Sequence, residues 1–257
     1  MALPPTALPA AAIELAPYRA VYTLSLAAKK AGSDIAAASG RISIEETEAC
    51  DGWTVGQRFQ LKIANNDGND VELSSSFASW ESKDGLHFRF TKRDLKDGKT
   101  DKELAGEAEL KGLEAGGEVR LTKPTAGHLD LPAGTVFPTR QTLLLLERAA
   151  AGDNFFATKI FDGTADSGAE DVTAVIGARQ EAPAEGTDAT MSPLLRHPAW
   201  PVHLAFFNSE QGHDTPDFEI EMRLLDNGIT HDMVLDYGDF SVKALLERIE
   251  MPAKPTC

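Results

Sequence analysis

Two cysteines, six histidines and an excess of acidic side chains are the chemistry this 257-residue sequence offers. Cys50 lies in EACDGWTVGQRF and Cys257 is the last residue. Two cysteines so far apart form no zinc knuckle. His87, His128, His197, His203, His213 and His231 show neither HExxH nor any tight zinc spacing. His197 and His203 flank an apolar stretch starting WPV and read as surface or strand-edge histidines. NNDGND (65–70) and DGTADSGAED (162–171) are rich in oxygen ligands but miss the EF-hand order. Asp, Asn and Gly are also what hairpin loops require, so both read as loops. There is no G-x-S-x-G, and Ser167 in DSG has no base placed beside it by the sequence. Pairs of carboxylates are too plentiful among 40 acidic residues to single out two for glycoside chemistry. No Gly-rich segment has the strand–loop–helix context of a phosphate loop. The expectation is a protein with no catalytic residue, no metal and no cofactor.

The cysteines leave two readings. A lone cysteine is ordinarily a free, buried, small apolar group. Cys257, however, follows MPAKPT, a proline-punctuated tail with nothing hydrophobic to pack it, where an exposed thiol is reactive. Joined to Cys50, it would tie the chain's end to the start of the third strand. Closing so long a loop contributes at most about 5 kcal/mol. A stable structural disulfide implies an oxidising compartment.

The elements that must position these groups are mostly strands. Tyr18, Ala20, Tyr22, Leu24 and Leu26 fall on one face of YRAVYTLSLA. Trp53, Val55, Phe59, Leu61 and Ile63 do the same in WTVGQRFQLKIA, opposite Thr54, Arg58, Gln60 and Lys62. VELSSSFASWES, HFRFTKRDL, ELAGEAEL and EVRLTKP follow, separated by Asp/Gly turns. FPTRQTLLLLERAAAGDN breaks the alternation. Thr139 as cap and Gly152 beyond the end predict one substantial helix at about 139–151. Strands resume at FFATKIFDG, DVTAVIGARQ and WPVHLAFF. Phe218, Ile220, Met222 and Leu224 then alternate up to Asn227-Gly228, a type I′ turn pair, and SVKALLERIE, strand or helix by propensity, is read as a strand because the last hairpin needs a closing partner. The fold class is mainly β, a single large antiparallel sheet of about a dozen strands with one helix. A sheet of that size curls or closes.

A hydrophobic content of 42% is enough for a core. The formal charge of −15 repels nucleic acids and anionic lipid surfaces, and no apolar run is long enough to span a bilayer as a helix. Residues 1–17, Ala/Pro-rich and without a basic n-region, are not an intact signal peptide. They read as a flexible leader, either of an exported chain whose signal has been removed or of a cytosolic one. Residues 18–257 read as one domain. Among the aromatic residues, Trp53, Phe59, Phe77, Phe88, Phe206 and Phe218 lie on alternating strands and are candidates to line an interior cleft.

ACDGWTVGQRF, SSFASWESKDG, LPAGTVFPTR, IFDGT, WPVHLAFF, DNGITHDMVLDYGDF and LLERIEMPAKPTC, in that order from Tyr18 to Cys257, resemble the EipB-like cell-envelope integrity proteins of alphaproteobacteria. The resemblance implies a periplasmic protein folded as a long antiparallel, open barrel-like β-spiral with one helix and a Cys50–Cys257 disulfide. Together with the strand meander, the cysteine placement and the absence of catalytic motifs, it leads to the expectation of a non-enzymatic role in envelope integrity, with exposed strand edges or the acidic surface docking a periplasmic partner protein. The spiral's likeness to lipid-carrier folds opens a second expectation, a carrier of a lipid or other apolar ligand inside the curl. An envelope-polymer hydrolase is a third, and no motif supports it.

Overall fold

The computed structural model describes residues 13–184, 191–208 and 215–253. Eight strands form the first part of the chain: β1 (Tyr18–Lys29), β2 (Ile35–Glu48), β3 (Gly52–Asn65), β4 (Val71–Ser82), β5 (His87–Lys96), β6 (Lys99–Leu110), β7 (Gly117–Lys123) and β8 (Gly127–Leu131). Then come β9 (Thr135–Val136), helix α1 (Pro138–Ala151), β10 (Phe155–Ile160), β11 (Glu170–Ile176), β12 (Ala199–Phe207), β13 (Phe218–Leu225), β14 (Thr230–Asp236) and β15 (Phe240–Glu250). All fifteen strands belong to one sheet, ordered β8 through β1, then β15 down to β9. Every pairing is antiparallel except β9 with β10. The count exceeds the expected dozen partly because β8 and β9 are too short to show a period.

The first and last strands pair at the middle of the sheet, Tyr22 opposite Leu246 and Leu24 opposite Ala244. Strict alternation in β1 buries Tyr18, Ala20, Tyr22 and Leu24 and exposes Arg19 and Thr23. The buried Tyr22 hydroxyl donates to the Thr230 carbonyl at 2.6 Å, so its polar end is satisfied. The sheet's two edges, β8 and β9, are joined by only Pro132–Gly134, which brings the ends of the sheet together and leaves a nearly closed barrel. An aromatic plug fills the closure. Phe88 stacks on Phe137 at 5.1 Å and meets Phe161 edge-on at 6.3 Å, while Phe90 packs on Phe161 at 5.4 Å. Strand β5 is thereby tied to the segments that flank α1 and follow β10.

Helix α1 lays Leu145, Leu146 and Ala149 on Ile160, Val172, Ala174, Trp200 and Val202. It begins one residue earlier than expected, with Pro138 in its first turn, where a missing N–H costs nothing. Thr139 is therefore inside the helix and does not cap it. The N-cap residue Phe137 has no capping side chain. The first-turn amides of Thr139 and Arg140, which have no partner within the helix, donate instead to the two Glu81 carboxylate oxygens, at 2.7 and 2.8 Å. At the other end Gly152 is left-handed (φ 86°) and donates to Ala149, and Asp153 donates to Arg148, as in a Schellman end. No atom lies within 4 Å of a Cβ added at Gly152. Gly152→Ala is therefore expected to cost about 1 kcal/mol through backbone conformation alone, read as a lower urea midpoint with unchanged slope.

Two local expectations change. Asn227-Gly228 is not a type I′ turn, because only Gly228 has a positive φ. The loop is a turn closed by Gly228 N–H to Leu225, followed by a pair of bonds around Ile229. Asn227 is buried and its amide donates to the Leu194 carbonyl at 3.0 Å, a tertiary contact that fixes the turn type. The two-residue turn with both φ positive falls instead at Asp97-Gly98, between β5 and β6. Residues 13–17, expected in a flexible leader, are docked: Ile13 and Leu15 pack on the α1 cluster and Ala16 N–H donates to Asn227.

Candidate functional site

Register fixes which side chains share a face. On the inner face Glu46 lies opposite Val55 and Glu81 opposite Trp53. Burial and the neighbouring Glu81 charge push the Glu46 carboxyl up to about 7. Burial pushes Glu81 to about 7 as well, against the two amide hydrogen bonds that favour its charged form. On the far half of the sheet, burial together with Asp162 and Asp217 raises Glu170 to about 7. Raised carboxyls bind protons in the folded state that the unfolded chain binds only below 4.5. Their stabilisation is complete below the unfolded pKa and is lost as pH rises through 7. The unfolding free energy is therefore expected to be higher at pH 5.5 than at pH 8, by about 1–3 kcal/mol, and Glu46→Gln should flatten that dependence in urea titrations.

The six aromatic candidates do not share one cleft. Phe88, expected as a candidate to line an interior cleft, is 1% exposed and packs in the plug. It and Phe90 alternate onto the same face of β5, and that face meets Phe137 and Phe161. Trp53 is half-buried. Phe59 is half-buried against the β1–β15 core and Phe77 against the plug. Phe206 and Phe218 do meet, at 5.8 Å, and extend into a row with Tyr237 and Phe240. The sequence reading missed those last two, although YGDF places both on one hairpin.

The histidines are spread out, each described one on its own strand or loop. His197 reaches Asp226 at 2.7 Å, His203 reaches Glu219 at 3.4 Å and His231 reaches Asp232 at 2.8 Å. His213 lies outside the described residues. Among the described residues no group of three or more His, Cys, Asp or Glu is placed to hold a metal ion. The oxygens of NNDGND serve their own loop, Asp67 accepting from the backbone and side chain of Asn69. No described helix is long and apolar enough to cross a membrane.

Cys50 sits in the tight β2–β3 turn, where Ala49 N–H donates to Gly52 and Lys83 N–H to Asp51. Gly52 is required there, since a Cβ would lie 2.3 Å from the Glu81 carbonyl oxygen. There is no free cysteine among the described residues. Cys257 lies outside them.

Two grooves mark the outer face, one on each side of the β1–β15 seam. One of about 510 Å³ crosses β1–β5 and carries Arg19, Arg58 and Arg93. The other, about 730 Å³, crosses β11–β15 and is bordered by the exposed apolar side chains Val175 and Leu245.

The same architecture is found in known proteins. The sequence profile of the EipB-like family matches residues 9–253. The cell envelope integrity protein EipB of Brucella abortus (strain 2308) is 33% identical over 244 residues, 94% of this chain and 86% of that one. The crystal structure of a β-barrel-like protein of a domain of unknown function, also from Brucella abortus, superposes with a TM-score of 0.85. It is 33% identical and covers 94% of this chain and all of the other. With the barrel, helix α1 and the seam between first and last strands all inside the matched span, the chain belongs to the EipB-like family.

Proposed function

We propose that the protein supports cell-envelope integrity from the periplasm, as a non-enzymatic scaffold locked by a Cys50–Cys257 disulfide and docking a partner protein. The observation that carries this is the match to a cell envelope integrity protein over the whole barrel. The bridge has two supports. Cys50 is not free, and the sequence holds one other cysteine. The reach is also sufficient. Glu250 is level with Arg19 on β1 and Glu45 on β2. Cys50 is then about 19 Å away, two strand spacings across and five residues along. The segment 251–257 can extend about 23 Å. An oxidising compartment follows from such a bond. The edge of β8, last in the sheet order, offers unpaired backbone groups to a partner strand.

Deleting the gene in its own host and challenging with detergent tests the role. The deletion should sensitise cells, the wild-type gene should restore them, and Cys257→Ser should restore them less well. Unchanged sensitivity of the deletion strain would contradict the proposal. The row Phe206–Phe218–Tyr237–Phe240, half-buried except for the exposed Tyr237, favours a second reading, binding of a lipid or other apolar ligand. Native mass spectrometry of protein from its host should then show a co-purifying lipid that Phe218→Ala loses.

A further inference from the structure

The arginine groove carries a specific chemistry. Two cross-strand rows make its floor. In one, Glu45, Gly56, Ala78 and Thr91 stand side by side on β2 to β5. In the next, Ser43, Arg58, Ser76 and Arg93 do. Arg58 and Arg93 thus flank Ser76 on one face, about 10 Å apart at the backbone, within reach of a single ligand. Arg19 closes one end and is held by Glu45 and Glu250 at 2.7 and 3.2 Å. Arg93 donates to the Thr100 hydroxyl at 2.9 Å and has its Nε 3.4 Å from Glu103, which leaves guanidinium N–H groups for a ligand. Arg58 makes no ion pair among the described residues. Its guanidinium is therefore not neutralised by a carboxylate of the groove.

Gly56 is the second observation. A glycine inside a strand weakens it and marks close approach of another backbone or of a ligand. At Gly40 and Gly52 the protein's own backbone explains the residue, at 2.0 and 2.3 Å from an added Cβ. At Gly56 nothing lies within 4 Å and no positive φ is required. The fold itself does not ask for glycine there. The space above it is the groove.

We propose that this groove binds an oxyanion-bearing ligand. Its phosphate or carboxylate groups are gripped between Arg58 and Arg93 above the Ser76 hydroxyl, and its body lies over Gly56 and Ala78. Guanidinium groups bind both oxyanions in a bidentate manner, and the Ser43 and Thr91 hydroxyls supply further donors. The site stands independently of the envelope role and of the disulfide.

Calorimetric titration of the full chain at low salt, with pyrophosphate in one arm and citrate in the other, tests it. Binding in either arm is expected, and the stronger arm identifies the oxyanion. Arg58→Ala should weaken it at least tenfold, and raising the salt should weaken it further. Gly56→Leu should abolish it by filling the groove while leaving the thermal midpoint within a few degrees of wild type. Should Gly56→Leu unfold the chain, Arg58→Ala, an exposed change, carries the test alone. No binding of either probe at millimolar concentration, or binding that Arg58→Ala leaves unchanged, overturns the proposal.

Discussion

Replacing Phe88 by alanine is expected to lower the unfolding free energy by about 3–5 kcal/mol, the cost of emptying a large buried aromatic site. Phe88 is one of the largest fully buried side chains and the one ring that contacts Phe90, Phe137 and Phe161 together. Those partners come from β5, from the residue that precedes α1 and from the residue that follows β10. The cavity would therefore open where the barrel closes on itself. Equilibrium urea unfolding followed by circular dichroism measures the effect as a fall in midpoint. A loss below about 1 kcal/mol would mean that the closure does not depend on the plug. Phe88→Leu, which keeps most of the volume, should recover the greater part of the loss.

Glu81→Ala is expected to cost about 3 kcal/mol, for a different reason. The Thr139 and Arg140 amides at the start of α1 have no local acceptor, because Phe137 offers none and Thr139 lies within the helix. Removing the carboxylate leaves two N–H groups unmet beside a buried residue, each costing about 1–3 kcal/mol. Above pH 7, where Glu81 is mostly ionised, it also removes a negative charge from the helix N-terminus. Glu81→Gln keeps one acceptor oxygen and should cost about half as much. Hydrogen exchange provides the site-specific reading. In Glu81→Ala the first-turn amides of α1 should lose protection before the β1–β15 seam does. Equal protection of Thr139 in mutant and wild type would contradict the assignment.

Both residues show where the sequence could and could not be read. Local signals were reliable where one face of an element is simply buried. The alternation of β1, β3 and β13 gave the correct inward faces, and Gly152 marked the end of the helix. SVKALLERIE, ambiguous by propensity, is β15 because β1 and β14 need a strand between them. Long-range partners left no local trace. Glu81 is 58 residues from the amide it caps, and nothing in SSFASWES distinguishes it from the chain's other carboxylates. Asn227 looked like a hairpin residue, and its contact with Leu194 made it something else. The arginine groove requires the register of five strands. Its one legible trace was Gly56 interrupting an otherwise regular strand between Val55 and Arg58. Phe88 was visible as apolar, but alternation alone cannot separate a core ring from a cleft ring. The packing of Phe137 and Phe161 decides that.

The measurement closest to the central claim is the mass of the intact protein, produced in the periplasm and alkylated under denaturing conditions with and without reductant. A barrel locked from its β2–β3 turn to its C-terminus predicts no label without reductant, two labels after reduction, and a monomer on a non-reducing gel. Two labels without reduction would show both thiols free. The lock, and the oxidising compartment inferred from it, would then be contradicted, leaving family membership to rest on the barrel and the sequence match alone.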